Sequence, residues 1–383
     1  MSFEASKSLK VGFIGGGLNS AIGLTHRIAV EMDRRFVLKA GCFSTNKHIN
    51  HNTGHTWGVK QHRIYDDWQT LLSKEKNRLD AIVVLTPIPS HTEIVIQTIE
   101  AGYPVICEKT LASSSADVQK IRHAVEQHQA FLAVTYNYSG YPMLRELKMM
   151  IEKGVLGKII QVQAEMPQEG FIRLDKEGKK ASPQAWRLED QDTISTISLD
   201  LCAHIHHLIF FLTDSHPIEV VAMQQSFGVF NQVIDNGMCL ARYSHEMACQ
   251  IWYSKCALGH RNGLRIRVYG TQGAAEWYQM EPEYLRYVDS KGQNTTLDRT
   301  TAVNDISVQM RYNRFKAGHP AGFIEAFANV YYDIADSLLE FQQKGHYDSP
   351  YVFGADIAEE GLHMLEAIYN SDNQKAWAKV ERS

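Results

Sequence analysis

Lys109 follows Glu108 at the end of the apolar run PVICEK, residues 104–109. A lysine there sits where desolvation weighs on its charge. That suits the polarising of a substrate oxygen, and it equally suits an ion pair at the rim of a sheet. The stretch LDLCAHIHH carries a second set: Asp200 and His204 stand four residues apart, and His207 three further on. On a helix these share one face, with His206 pointing elsewhere. Asp200 can orient or charge-stabilise a neighbour while His204 takes a proton, or the histidines form a satisfied core pair. A histidine cluster also invites a metal reading, which the spacing disfavours: it is neither H-x-x-x-H nor H-E-x-x-H, and no second group of Cys or carboxylates answers it. The third set is the glycine turn GFIGGGLNSAIGLTH, residues 12–26. A tight turn opening a helix presents N–H groups to a pyrophosphate, and Gly15, Gly16 and Gly17 fit that role. The third glycine of G-x-G-x-x-G is Ser20 here; Gly23 arrives three residues late, as in a lengthened turn. A ligand-free glycine loop is the alternative.

The elements that must position these groups can be read from patterning. Short apolar runs at 10–15, 36–43, 81–86, 104–109 and 131–137 alternate with helical segments such as HTEIVIQTIEAG and SSADVQKIRHAVEQH. This predicts a doubly wound parallel sheet, in which ligands bind outside the carboxyl ends of the strands. Each run ends in something polar or special: Gly15 to Gly17, Ser44, Thr86 with Pro87, Glu108 with Lys109, and Asn137. The second run lacks the Asp or Glu that holds an adenosine ribose, and Lys47 nearby could pair with a 2′-phosphate, so NAD and NADP both stay open.

Beyond residue 140 a helix ending near Gly154 and Gly157 gives way to alternating strands interrupted by LDLCAHIHHLIFFLTD, and two helices close the chain. This predicts an α+β domain with a large, mainly antiparallel sheet whose open face could serve a subunit contact. The expected division is a dinucleotide-binding domain over 1–138 and a substrate and oligomerisation domain over 139–383, the last helices packing back on the first.

A formal charge of −4, with no basic run interleaved with aromatics, argues against nucleic acid as a partner. The six cysteines stand singly in apolar stretches, as reduced core thiols do. The start, MSFEASKSLK, has no long apolar segment, and no run of about 18 apolar residues occurs. The expectation is a cytoplasmic chain that meets neither membrane nor nucleic acid.

The ordered set of VGFIGGG, Thr86-Pro87 with His91, CEKTLA, Gly154 and Gly157, Trp186-Arg187, D-x-x-x-H at Asp200 and His204, and VYGTQGAAEW resembles the Gfo/Idh/MocA family, the glucose-fructose oxidoreductase and inositol dehydrogenase family, over essentially the whole chain. The length of the turn and the stretch AGHPAGFIEAFAN are similar to one branch of roughly 380-residue members. The resemblance implies a Rossmann domain, NAD or NADP, and reversible oxidation of a sugar or cyclitol hydroxyl. It makes Lys109 the oxygen-polarising lysine, Asp200 the substrate-orienting acid and His204 the general base. It implies cofactor contacts from Gly15, Gly16, Gly17, Leu18, Asn19, Ser44, Thr86, Pro87, His91, Glu108, Lys109 and Asn137. Substrate contacts would add Tyr138, Trp186, Arg187 and His207, while His319 could reach the substrate as a hydroxyl partner or be a loop histidine with a structural hydrogen bond; the molecule would be a homodimer or homotetramer. Thr110 replaces the family's proline after Glu-Lys, and His207 its aspartate three residues past the histidine. Two further functions compete: an NAD-dependent glycoside-cleaving enzyme working by transient oxidation, and a non-catalytic dinucleotide-sensing regulator. Retention of Lys109, Asp200 and His204 together argues against the regulator.

Overall fold

The computed structural model describes residues 8–180, 183, 185–188, 194–230, 233–316 and 318–381. Most of the amino-terminal tail MSFEASKSLK and Ala317 of AGHPAGFIEAFAN lie outside the described residues. Two compact units are present: Met1–Gly140 with Phe323–Ala358, and Tyr141–Gly322 with Glu359–Ser383.

In the first unit β1 (Leu9–Gly15), α1 (Gly23–Met32), β2 (Phe36–Cys42), α2 (Lys47–Thr56), α3 (Trp68–Lys74), β3 (Ala81–Leu85), α4 (His91–Glu100), β4 (Val105–Glu108), α5 (Ser115–His128) and β5 (Leu132–Thr135) follow one another. The strands form a parallel sheet in the order β2-β1-β3-β4-β5, as expected. Parallel strands covered on both faces need continuous apolar sequence, and AIVVL of β3 is buried at every position. Because the strands are parallel, Gly15, Leu85, Glu108 and Thr135 all end at one edge.

Two helices of this unit escape the patterning. α2 reads KHINHNTGHT, poor in apolar residues and in strong helix formers. Side chains hold it instead. Asn46 accepts from the Ile49 amide at its start, and Asn50 accepts from the Phe43 amide while donating to the Tyr65 carbonyl. α3 is seven residues long, with Asp67 as its cap.

The second unit begins with α6 (Pro142–Glu152) and β6 (Ile159–Pro167) and continues through α7 (Ala203–Thr213), β7 (Pro217–Gln225), β8 (Asn236–Tyr243), β9 (Met247–Ser254), β10 (Arg265–Gly270), β11 (Gly273–Tyr278), β12 (Tyr284–Asp289) and β13 (Asn294–Asp298). The chain then forms α8 (Phe323–Lys344) in the first unit, α9 (Ala355–Gln374), and the short β14 (Ala378–Lys379) of the second. Among the described residues the second sheet runs β13-β12-β11-β10-β6-β9-β8-β7-β14, antiparallel throughout except for the pair β6 and β9. Along β6, Val162, Ala164 and Met166 are buried and alternate with more exposed Gln161, Gln163 and Glu165. α8 returns to the first unit for the same reason that β3 is buried there: Phe327, Val330, Tyr331, Ile334 and Leu338 lie on one helical face and join the core of Val11, Phe13, Val83 and Ile106.

One local departure bears on the site. The residues Ser198–Cys202 form a π-helical turn ahead of α7. Helical spacing of 3.6 residues therefore does not run through Asp200, and the shared-face argument holds only within α7, for His204 and His207.

Among the described residues the long connection from β13 to residue 322 has little regular structure; its turns close some backbone groups on one another, and side chains meet others. Buried Arg299 donates to both Glu283 carboxylate oxygens, to the carbonyls of Tyr312 and His319, and to Asn313 Oδ1. The Glu146 carboxylate accepts from three successive amides, those of Asp305, Ile306 and Ser307. Arg299→Met leaves the Glu283 carboxylate without its cation and the Tyr312 and His319 carbonyls without this donor, and the expected loss of unfolding free energy is about 3–5 kcal/mol, read from urea titration.

Candidate functional site

The glycine turn of the first unit is built around one close approach. A Cβ on Gly23 would stand 1.8 Å from the Gly16 carbonyl oxygen, so the start of α1 lies directly on the turn. This is the packing role of the third glycine in the shorter motif, taken over by Gly23 after three extra residues. Ser20, which breaks the pattern, serves the helix instead, since its hydroxyl accepts from the amides of Ile22 and Gly23 at the head of α1. Leu18 and Asn19 are exposed between them.

Gly15 adopts φ +83°, and a Cβ there would come within 2.8 Å of the Leu85 carbonyl carbon and the Thr86 nitrogen. Not every amide of the turn is offered to a ligand, however. Gly17 N–H donates to the Phe43 carbonyl at 3.0 Å and Leu18 N–H to Thr53 Oγ1 at 3.1 Å. These bonds brace the turn against β2 and α2. The amide of Gly17, expected to face a pyrophosphate, is thus engaged within the protein, and a Cβ there would stand 2.9 Å from the Phe43 carbonyl oxygen.

Around this turn, at the carboxyl edge of the parallel sheet, Thr86 Oγ1 and Asn137 Nδ2 are buried without a hydrogen-bond partner among the described residues. Buried polar atoms are normally paired, and orphans at a strand edge mark a place where a ligand completes the set. A glycine cradle followed by a hydroxyl and an amide suits the phosphates, ribose and carboxamide of a nicotinamide dinucleotide. Ser44 is half-buried just past β2, and Pro87 is exposed next to Thr86.

His91, expected at the cofactor, turns both ring nitrogens to main-chain carbonyls. The ring is buried, with Nδ1 at 2.9 Å from the Thr110 carbonyl and Nε2 at 2.7 Å from the Thr86 carbonyl. It lies between the turn after β3 and the turn carrying half-buried Lys109. Burial lowers its pKa below the ordinary value, against the pull of the carbonyls and of Glu108. Glu108 is itself tied into a buried chain: Thr135 Oγ1 donates to its Oε1 at 2.6 Å, and His26 Nε2 faces it at 3.3 Å. The His26 Nδ1 meets the Tyr331 hydroxyl at 2.7 Å. Tyr138 is buried, its ring 6.3 Å from that of Phe323.

In the second unit the π-helical turn presents half-buried Asp200. Its Oδ2 receives Arg187 Nη1 and, at 2.5 Å, the ammonium of Lys255. The Arg187 guanidinium lies 4.5 Å from the Trp186 ring. The turn is pinned from behind: Ser198 Oγ lies 2.8 Å from both Ser195 Oγ and Tyr253 Oη, and Gln224 Nε2 donates into the same cluster. His204 is buried just beyond. His207 is more deeply so, stacked on Phe211, and burial together with neighbouring His206 holds it neutral, its pKa well below the ordinary value. His206 faces Glu360. His319 is exposed, and its carbonyl serves Arg299.

Lys255 is absent from the residues that the sequence singles out, although a signal is present. IWYSK is an apolar strand closed by lysine, the pattern that draws attention to Lys109 in VICEK.

Gly15→Ala forces a side chain into positive φ against Leu85 and Thr86, and NAD affinity measured by fluorescence titration should fall on the order of tenfold. His91 and His207 both have folded pKa values below the ordinary 6.5. As pH falls through 6.5 the unfolded chain binds protons that the folded chain refuses, so their contribution is complete above that pH and is lost towards their folded values. Unfolding free energy from urea titration should be lower at about pH 5.5 than at about pH 8, and the decline should be shallower in His91→Asn.

Comparison with known proteins gives a consistent result. A family described as an oxidoreductase family with an NAD-binding Rossmann fold matches residues 9–136, and the GFO/IDH/MocA C-terminal domain matches residues 144–276. The uncharacterized oxidoreductase YfiI of Bacillus subtilis is 32% identical over 98% of both chains. The crystal structure of an inositol dehydrogenase homolog from Azotobacter vinelandii, complexed with NADH and myo-inositol, superposes with a TM-score of 0.87 at 26% identity, covering 98% of each chain. An oxidoreductase from Sinorhizobium meliloti, 31% identical, covers 98% of this chain and 100% of its own with a TM-score of 0.84. Across both units the chain belongs to the Gfo/Idh/MocA family of NAD-binding oxidoreductases.

Proposed function

We propose that the protein is a dehydrogenase that oxidises a secondary hydroxyl of a sugar, sugar derivative or cyclitol, with Lys109, Asp200 and His204 as its catalytic residues. The observation that carries this reading is the gathering of the glycine turn, Thr86, Asn137 and Lys109 at the carboxyl edge of one parallel sheet. Relatives point the same way: the Azotobacter vinelandii protein is complexed with myo-inositol, and a 23% identical relative from Pseudarthrobacter phenanthrenivorans, matched over 70% of this chain and 73% of its own, is a levoglucosan dehydrogenase.

Gly15, Gly16, Gly17, Ser44, Thr86 and Asn137 would hold the dinucleotide, which when bound supplies the hydride acceptor. In this mechanism His204 removes the hydroxyl proton of the substrate, Lys109 stabilises the oxygen as it becomes anionic, and Asp200 holds the substrate hydroxyls in register. Lys47 pairs with Asp66 at 2.9 Å, and Asp66 also meets His51. An acid beside that lysine favours NAD over its 2′-phosphorylated form. We read the protein as a cytoplasmic homodimer or homotetramer. Reduced cysteines support the first part. The second rests on the apolar outer positions Met223, Met238 and Leu240 on β7 and β8, each about half exposed. No helix among the described residues is long and apolar enough to cross a membrane.

The test is a panel of sugars, inositols and glycosides assayed for reduction of NAD and NADP separately. At least one polyol should give net reduction with NAD. Lys109→Ala and His204→Ala should each lower turnover by about 10²–10⁴ while folding is kept. Failure of every polyol in a chain that still binds NAD, or near-normal turnover in both variants, would contradict the assignment.

A further inference from the structure

We propose that Lys255 is a positioning residue for Asp200, an inference that rests on the dehydrogenase reading above. Lys255 lies one residue past the end of β9, and its backbone is held on both sides: its N–H donates to the Asp235 carbonyl at 2.8 Å, and its carbonyl accepts from Phe171 N–H at 2.8 Å. The residue is 8% exposed, and the ammonium stands 5.1 Å from the centre of the Phe171 ring. Lysine is rarely this buried unless its charge is matched. Here the match is Asp200 Oδ2, at 2.5 Å.

The same oxygen also receives Arg187, so two cations from separate segments converge on one carboxylate oxygen. One would suffice to balance the charge. Two directed donors fix where the oxygen lies as well, and cations beside a carboxylate favour its anionic form. The position matters because Asp200 sits on a π-helical turn, where the backbone ladder is loosened and ordinary helical spacing does not set its direction towards His204. The Ser195, Ser198, Gln224 and Tyr253 cluster secures the turn at Ser198. Lys255 and Arg187 secure the carboxylate itself. Arg187 reaches it from the short segment that holds Trp186, and Lys255 from just past β9, where both of its backbone groups are bonded.

The experiment compares wild type, Lys255→Met and Lys255→Arg with the polyol that wild type oxidises fastest. The readouts are kcat and KM between about pH 5 and 9, NAD affinity by fluorescence, and a urea-unfolding cycle combining Lys255→Met with Asp200→Asn. Lys255→Met should lower kcat/KM by about 10- to 100-fold, with the acid limb of the profile moved towards neutral pH and NAD affinity unchanged. Lys255→Arg should recover most of the loss. In the unfolding cycle, the destabilisation caused by Lys255→Met should shrink once Asp200 is Asn. An acid limb unmoved in Lys255→Met, an arginine variant as impaired as the methionine variant, or strictly additive unfolding effects would each overturn the proposal. A wild type that oxidises no polyol would instead overturn the dehydrogenase reading, and the unfolding cycle would still decide whether the Lys255–Asp200 pair holds.

Discussion

The amino end of α1 lies so close to the Gly16 carbonyl that no side chain at residue 23 fits between them. Much of the first unit follows from that contact. It brings the positive end of the helix dipole onto the turn, and it makes Ser20 the group that satisfies the first amides. Together with the bonds from Gly17 to Phe43 and from Leu18 to Thr53, it gives the turn its shape from protein contacts alone. A cradle made in this way needs no reorganisation when an anion arrives, which is the condition under which fixed dipoles bind most strongly.

The second unit meets a comparable requirement by other means. Its acid stands on a turn of loosened helix, and side chains rather than backbone bonds set its place. Behind the turn is a cluster of hydroxyls and an amide; in front are two cations lying against aromatic rings. The first unit positions with glycine and close packing, the second with directed charge.

Much of this is legible in the sequence because it depends on periodicity. Five apolar runs ending in polar residues define a parallel sheet and the edge where ligands gather, and alternation past residue 140 defines the antiparallel one. What escapes depends on single side chains. α2 is helical because Asn46 and Asn50 satisfy its ends and flanks, a reason invisible to hydropathy. The π-helical turn at Ser198–Cys202 has no periodic signature, so helical spacing places Asp200 by a rule that does not apply there. Lys255 stays hidden because its partner is 55 residues away, and only the folded sheet brings the two together. His91 reads as a ligand contact because it follows Thr86 and Pro87, whereas both of its nitrogens are turned to main-chain carbonyls.

The His91 ring stands between the Thr86 and Thr110 carbonyls. A neutral imidazole carries one N–H, and here two carbonyls stand ready for it, one on the turn after β3 and one beside Lys109. The two turns are rivals for a single proton. Whichever tautomer is present, one turn is clasped and the other faces a lone pair, so tightening on one side of the ring is bound to slackening on the other.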